Sequence, residues 1–191
     1  MSATHTARKL RLVKSSTRRI RPITGTPTLR SATVADVNAI HELIVDHLQE
    51  GHLLPRRLEE IAVRIGRFVV ASDGERILAC AELAPLSPSV AEVRSLVVSA
   101  DARDLGLGQR IVNELAERAT VAGFTKLCAF AHAPGYFVHM GFSIIPHVWL
   151  PEKIVTDCNT CPQFRQCGQY AVILELTRPR EAFVPLAALH G

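Results

Sequence analysis

The chain has 191 residues, 48% of them hydrophobic and 21% charged, which suits one globular domain with a full core and excludes a wholly disordered chain. No apolar run approaches the about 18 residues of a membrane span, and there is no signal-peptide core, so a cytoplasmic protein without membrane partners is expected. The net charge of +4 misleads: residues 1–30 carry Arg8, Lys9, Arg11, Lys14, Arg18, Arg19, Arg21 and Arg30 with no acid, leaving 14 of the 22 Lys+Arg against all 18 Asp+Glu. The fold itself is therefore acidic, and nucleic-acid binding is expected at most through the arm. Five cysteines is an odd count, and Cys80 and Cys128 fall in apolar strand-like runs, as in a reducing compartment.

Residues 1–27 are rich in Ser, Thr and Arg without apolar periodicity and read as a disordered basic arm. A solvated tail, a nucleic-acid-touching arm and an organellar presequence all fit that composition. The domain spans residues 28–177, with a tail over 178–191. A short strand at 28–32 precedes a helix capped by Thr33 or Asp36, with Val37, Ile40, His41, Ile44, Val45 and Leu48 on one side and its end at Gly51. Pro55 keeps 53–57 in a loop, and a second helix runs from Leu58 to Ile65. Strands at 68–72 and 77–83 are joined across Asp73-Gly74, a hairpin signal. After a strand at 91–98 and a helix from Leu107 come a strand at 127–131, a helix at 134–140, and strands from Phe142 and over 171–176. The order β-α-α-β-β-β-α-β-α-β-β predicts an α/β fold with a mixed sheet covered on both faces.

The stretch from Ala91 to Val112 organises the rest. Residues 91–98 are β-branched and aliphatic, as a strand requires. Strand alternation would put Glu92, Arg94, Leu96 and Val98 on one face, neighbours ~6.7 Å apart. From Leu107 the apolar residues Leu107, Ile111, Leu115 and Ala119 follow the helical period, and Ala122-Gly123 stops the helix. Between them lies Arg103-x-x-Gly106-x-Gly108. Glycines admit a tight turn and a close ligand, and the helix start behind them offers unpaired N–H groups at its positive end. That combination binds pyrophosphate. Gly-Gln-Arg excludes a Walker A ending, and Ile111 excludes the third glycine of a Rossmann turn.

This segment resembles the acetyl-CoA loop of the GNAT N-acetyltransferases, which follows a splayed central strand. Leu29-Arg30-Ser31-Ala32-Thr33, Leu53-Leu54-Pro55-Arg56, Cys80-Ala81-Glu82-Leu83, Ala91 to Val98, Tyr136-Phe137 before Gly141-Phe142, and Leu150-Pro151-Glu152-Lys153-Ile154 further resemble the acetyltransferase domain of bacterial N-acetylglutamate synthases, in their short stand-alone form. The resemblance implies a GNAT fold, acetyl-CoA as co-substrate and transfer of its acetyl group to the α-amino group of L-glutamate in a ternary complex, the first step of arginine synthesis. With no kinase domain in front, arginine feedback through one is not expected. A homodimer is one open outcome for the assembly.

Under the same resemblance, Glu92 matches the general base, directly or through water; the residue-level alternative is a salt-bridge partner. Arg56 and Arg94 match the arginines that bind a carboxylate substrate, a task suited to the guanidinium fork. Leu96, Val97 and Val98 would bond the pantetheine through their backbone, and Arg103, Asp104, Leu105, Gly106, Leu107 and Gly108 would hold the pyrophosphate. Protonation of the leaving thiolate falls to Tyr136, His132 or water, with Tyr136 one position before the usual tyrosine site, which is Phe137 here. Phe130-Ala131-His132 lacks the hydroxyl found after the fifth strand in relatives, and Arg57 replaces a serine. These departures bear on glutamate more than on acetyl transfer. No metal is assigned: Cys158-x2-Cys161-x5-Cys167 is half of a tetrahedral zinc pattern, with His147, His132 or Cys128 as a fourth ligand, and a redox-labile pair or plain loop cysteines fit as well. His41, His47, His52 and His139 read as surface or satisfied side chains, and Trp149 as a lid or packing residue. Another amine acceptor, or a non-catalytic acyl-CoA-binding or nucleic-acid-associated module, are the competing functions.

Overall fold

The computed structural model describes residues 23, 25–50, 53–74, 76–161 and 164–176. The arm over 1–22, the tail over 178–191, and the helix end expected at Gly51 lie outside them. Seven strands form one sheet in the order β1-β2-β3-β4-β5-β7-β6: β1 Thr28–Ser31, β2 Phe68–Asp73, β3 Arg76–Pro85, β4 Val90–Val98, β5 Lys126–Ala131, β6 Ser143–Ile145 and β7 Tyr170–Glu175. Among the described pairings β4–β5 alone is parallel, as the long crossover through α3 Leu107–Val121 between them requires. The α/β architecture matches the expectation from sequence, with one addition. A helix α5 at Pro151–Thr156 follows α1 Val37–Asp46, α2 Leu58–Val63, α3 and α4 Gly135–Val138. Pro151 stands in its first turn, where a missing N–H costs nothing.

Two packed layers flank the sheet. On one face α3 buries Leu107, Ile111, Val112, Leu115 and Ala119 against Val69, Leu78, Ala91 and Leu127, and Phe137 and Phe142 extend that core. The helical spacing in the sequence gives the buried side of α3 correctly. On the other face Ile40, Leu43 and Ile44 of α1 and Ile61 of α2 cover Phe68, Val70, Cys80 and Val97. Farther along this face Leu150 packs on Val90, Cys128 and Ala171. In α1 the expected Val45 is 42% exposed and Leu43 takes its place inside. The capping expectation holds: Asp36 accepts the Thr33 N–H at 2.7 Å and the Thr33 hydroxyl at 3.0 Å. Arg30 binds the same carboxylate at 2.7 and 2.8 Å and, with those bonds, holds it far below the usual carboxylate range. His47 is buried with Nδ1 2.8 Å from the Leu43 carbonyl, a satisfied histidine, and Trp149 is 68% exposed.

Ile111 and Leu115 are wholly buried in the α3 core. Replacing either by Ala should cost about 2–5 kcal/mol through lost transfer energy and a residual cavity. Urea denaturation would show this as a lower midpoint with an unchanged slope.

Candidate functional site

The site begins where β4 and β5 part. Their ladder covers Val90–Val93 against Lys126–Ala129 and stops. From Arg94 onward one edge of β4 has no partner strand in this ladder, and a cavity of about 920 Å³ opens between Arg94–Val98 and Phe130–Ala133. At the same point β4 is bulged: Cys80 of β3 faces Val97 while Glu82 faces Arg94, so three steps of β4 oppose two of β3. Ser95 absorbs the extra residue with φ 51°, a left-handed conformation that a non-glycine residue adopts only when its surroundings hold it there. The expected single face is therefore corrected. Glu92 and Arg94 stay on the α1–α2 side. Beyond the bulge Val97 joins that side, and Leu96 and Val98 turn to the α3 core.

The loop 103–108 closes the far end. Asp104 and Gly106 both take positive φ, 68° and 67°, and Gly106 is the N-cap of α3 with no side-chain cap hydrogen bond. No acid stands in the first turn of α3, so its leading N–H groups face the cavity uncompensated by negative charge. Arg103 lines the cavity and bonds Glu50 at 2.5 Å. Gly108 is required by contact: a Cβ there would lie 2.5 Å from the Tyr136 Oη and 3.4 Å from Val98. Tyr136 thus rests its hydroxyl on the start of α3 beside β4. Burial pushes its phenol above the ordinary value.

At the opposite end a cluster of charges sits under the slot. Glu92 is buried, and both its oxygens accept from cations: Oε2 from Arg94 Nε at 2.6 Å, and Oε1 and Oε2 from Lys153 Nζ at 2.7 and 2.9 Å. Asp157 accepts from Lys153 at 2.8 Å and from Arg94. Burial alone would raise Asp157, but the Lys153 bond and the charges of Lys153, Arg94 and Arg56 bring it below the ordinary value. Arg94 is charged despite its burial, and is pushed above its ordinary value by Glu92 and Asp157. Lys153 also stands 5.0 Å over the Phe130 ring, a cation–π contact. Arg56 reaches the bulge through Ser95 Oγ at 3.3 Å, and its other arm meets Glu60 at 2.8 Å.

The structure thus gathers Glu92, Arg94, Arg56, Leu96–Val98, Arg103, Asp104, Gly106, Leu107, Gly108 and Tyr136 around one cavity, while Leu105, expected among them, does not line it and is exposed. Reasoning on the sequence missed Lys153, Asp157, Ser95 and Glu82. A signal existed for the first pair: they stand four apart, one helical turn, in a segment to which no element was assigned. Cys158, Cys161 and Cys167 are unbridged, and Cys128 is buried in β5. Among the described residues no group of three or more His, Cys, Asp or Glu is arranged to hold a metal ion. No described helix is long and apolar enough to cross a membrane.

Residues 37–142 match the acetyltransferase (GNAT) family. An uncharacterised N-acetyltransferase of Chlorobaculum tepidum is 30% identical over 78% of this chain and 96% of its own length. The amino-acid acetyltransferase of Escherichia coli is 29% identical over 65% of this chain, which spans only 29% of that longer protein. Among solved structures, N-acetylglutamate synthase of Neisseria gonorrhoeae, complexed with coenzyme A and N-acetyl-glutamate, is similar at a TM-score of 0.72 and 25% identity, covering 81% of this chain and 36% of that one. A Mycobacterium tuberculosis protein solved with CoA shares the fold at a TM-score of 0.69 and 21% identity, covering 79% of this chain and all of its own. The chain belongs to the GNAT acetyltransferase family, and it is an acyltransferase of that family.

The buried ion cluster generates a prediction of its own. Lys153→Met should destabilise the fold by roughly 3–5 kcal/mol, because Glu92 and Asp157 lose a shared partner. Combining it with Glu92→Gln should cost less than the sum of the two single changes, with a coupling of about 1 kcal/mol or more in a double-mutant cycle of denaturation midpoints.

Proposed function

We propose that the chain transfers the acetyl group of acetyl-CoA to the α-amino group of L-glutamate by direct attack in a ternary complex. The carrying observation is that three cations, Arg56, Arg94 and Lys153, line the cavity whose far end is the glycine loop. A guanidinium fork suits a carboxylate, and an uncapped helix start suits a pyrophosphate. In this reading the amides of Arg103–Gly108 hold the pyrophosphate, and the freed backbone of Leu96, Val97 and Val98 pairs with the pantetheine as a strand neighbour would. The complex of the Neisseria gonorrhoeae enzyme with coenzyme A and N-acetyl-glutamate supports the assignment by similarity. It would place the protein in the cytoplasm at the entry to arginine synthesis.

The chemistry needs a free amine, since an ammonium has no lone pair with which to attack the thioester carbonyl. Glu92 accepts that proton. Both its oxygens already receive donors from Lys153 and Arg94, so the proton reaches it through water as one donor swings to the substrate carboxylate. The new C–N bond forms as the C–S bond breaks, and the thiolate leaves toward Tyr136, the candidate acid, whose hydroxyl rests on Gly108.

A second reading, transfer to a different amino acid, is favoured by one observation. Arg56, Arg94 and Lys153 each already hold a carboxylate of the chain itself. Thiol release from acetyl-CoA with each common amino acid separates the two. Glutamate should support turnover, and Arg56→Ala or Arg94→Ala should raise its KM about tenfold or more, the scale of a lost charged hydrogen bond, with acetyl-CoA binding intact. Faster turnover with another amino acid would favour the second reading.

A further inference from the structure

Beneath the acceptor end lies a carboxyl group with no place in the chemistry above. Glu82, at the centre of β3, is 2% exposed, and its Oε1 is shielded from water without accepting a hydrogen bond. An unpartnered buried acid is costly, and a fold keeps one only where a neighbour or a function requires it. Its cross-strand neighbours are Phe68 on β2 and Arg94 on β4. Arg56, Arg64 and Arg67 complete the charges acting on it, and the buried Cys80 thiol lies one pleat along the strand. Glu60 stands behind Arg56 and Arg64, and Glu92, Asp157 and Lys153 surround Arg94. From α1 the apolar Ile40, Leu43 and Ile44 and the buried His47 cover this side.

The charges in this cluster nearly cancel. Arg56, Arg64, Arg67, Arg94 and Lys153 oppose Glu60, Glu92, Glu152 and Asp157, five cations against four carboxylates. We propose that Glu82 is a specificity-determining positioning residue, an internal carboxyl whose charge state fixes whether the arginine cluster has a positive charge to spare for the side chain of the acceptor. With Glu82 protonated the cluster carries a surplus of one, which matches the net single negative charge of L-glutamate. With Glu82 ionised the surplus vanishes, and a neutral acceptor such as L-glutamine fits equally well. Burial raises Glu82 above the ordinary glutamate value despite the opposing pull of the arginines, so the uncharged form persists to higher pH than in water.

This inference rests on the carboxylate-acceptor reading above. Its test is the ratio of KM for L-glutamine to KM for L-glutamate across pH, in wild type and Glu82→Gln. Both acceptors carry the same α-ammonium and α-carboxylate, so the ratio isolates the side-chain charge. In wild type the preference for glutamate should fall about tenfold as rising pH ionises Glu82. In Glu82→Gln it should be flat and remain at the high, acid-side level. Glu82→Met, also neutral and of similar length, should behave alike. A variant ratio that follows the wild-type pH profile, or a wild-type ratio independent of pH, would overturn the role of Glu82 and leave the acceptor reading standing. Wild type silent toward both amino acids while binding acetyl-CoA would overturn both.

Discussion

The site depends on one parting of strands. β4 and β5 pair in parallel through Val93 and Ala129, and then separate. Up to that point β4 is paired on both sides, with β3 and with β5. Past it, Arg94–Val98 offer unpaired amides and carbonyls along one edge of a buried strand, a costly feature unless something extended comes to lie there. The bulge at Ser95 sharpens the break by turning Leu96 and Val98 into the α3 core while Val97 crosses to the other side. The slot is thus walled by well-packed residues on both faces. The glycine loop lies at one end and the ion cluster at the other.

That ion cluster ties distant pieces of chain to the slot. Glu92 and Arg94 come from β4, Lys153 from α5 and Asp157 from the residue that ends it, and Arg56 and Glu60 from the loop and helix before β2. Burying so many charges is affordable only because each is paired and hydrogen-bonded within the cluster. The arrangement gives the acceptor end a dense, nearly balanced field in which one added or removed proton is felt strongly, because the low-dielectric walls screen little. Glu92 is a member of this ion-pair network, and in the proposed reaction it is also the proton acceptor.

Much of this was legible in the sequence where local rules govern. The helical spacing of Leu107, Ile111, Leu115 and Ala119 defines the buried side of α3, Asp73-Gly74 marks the hairpin, and the Thr33–Asp36 pair caps the first helical turn. The convergence of Arg56, Arg94, Glu92 and the glycine loop also matched the residues picked out by resemblance. What failed were features decided by tertiary contacts. Alternation placed Leu96 and Val98 beside Arg94, because nothing in Arg94-Ser95-Leu96 announces a bulge; the non-glycine residue at φ 51° is held there by β3 and Arg56. The helix α5 was passed over because its six residues are too short for a periodic signal, and Lys153 and Asp157 went with it. Glu82 looked like an ordinary strand residue, since its burial depends on α1, α2 and the arginines gathered from three separate segments.

In the proposed complex an acyl-CoA lies along the freed edge of β4 with its pyrophosphate on the 103–108 loop. A titration of isotope-labelled protein with acetyl-CoA, followed by backbone amide NMR, tests it directly. The largest shifts should fall on Leu96, Val97 and Val98 and on the amides of Arg103–Gly108, with β1 and β2 unmoved. Shifts centred elsewhere, with the β4 edge and the loop unchanged, would contradict it.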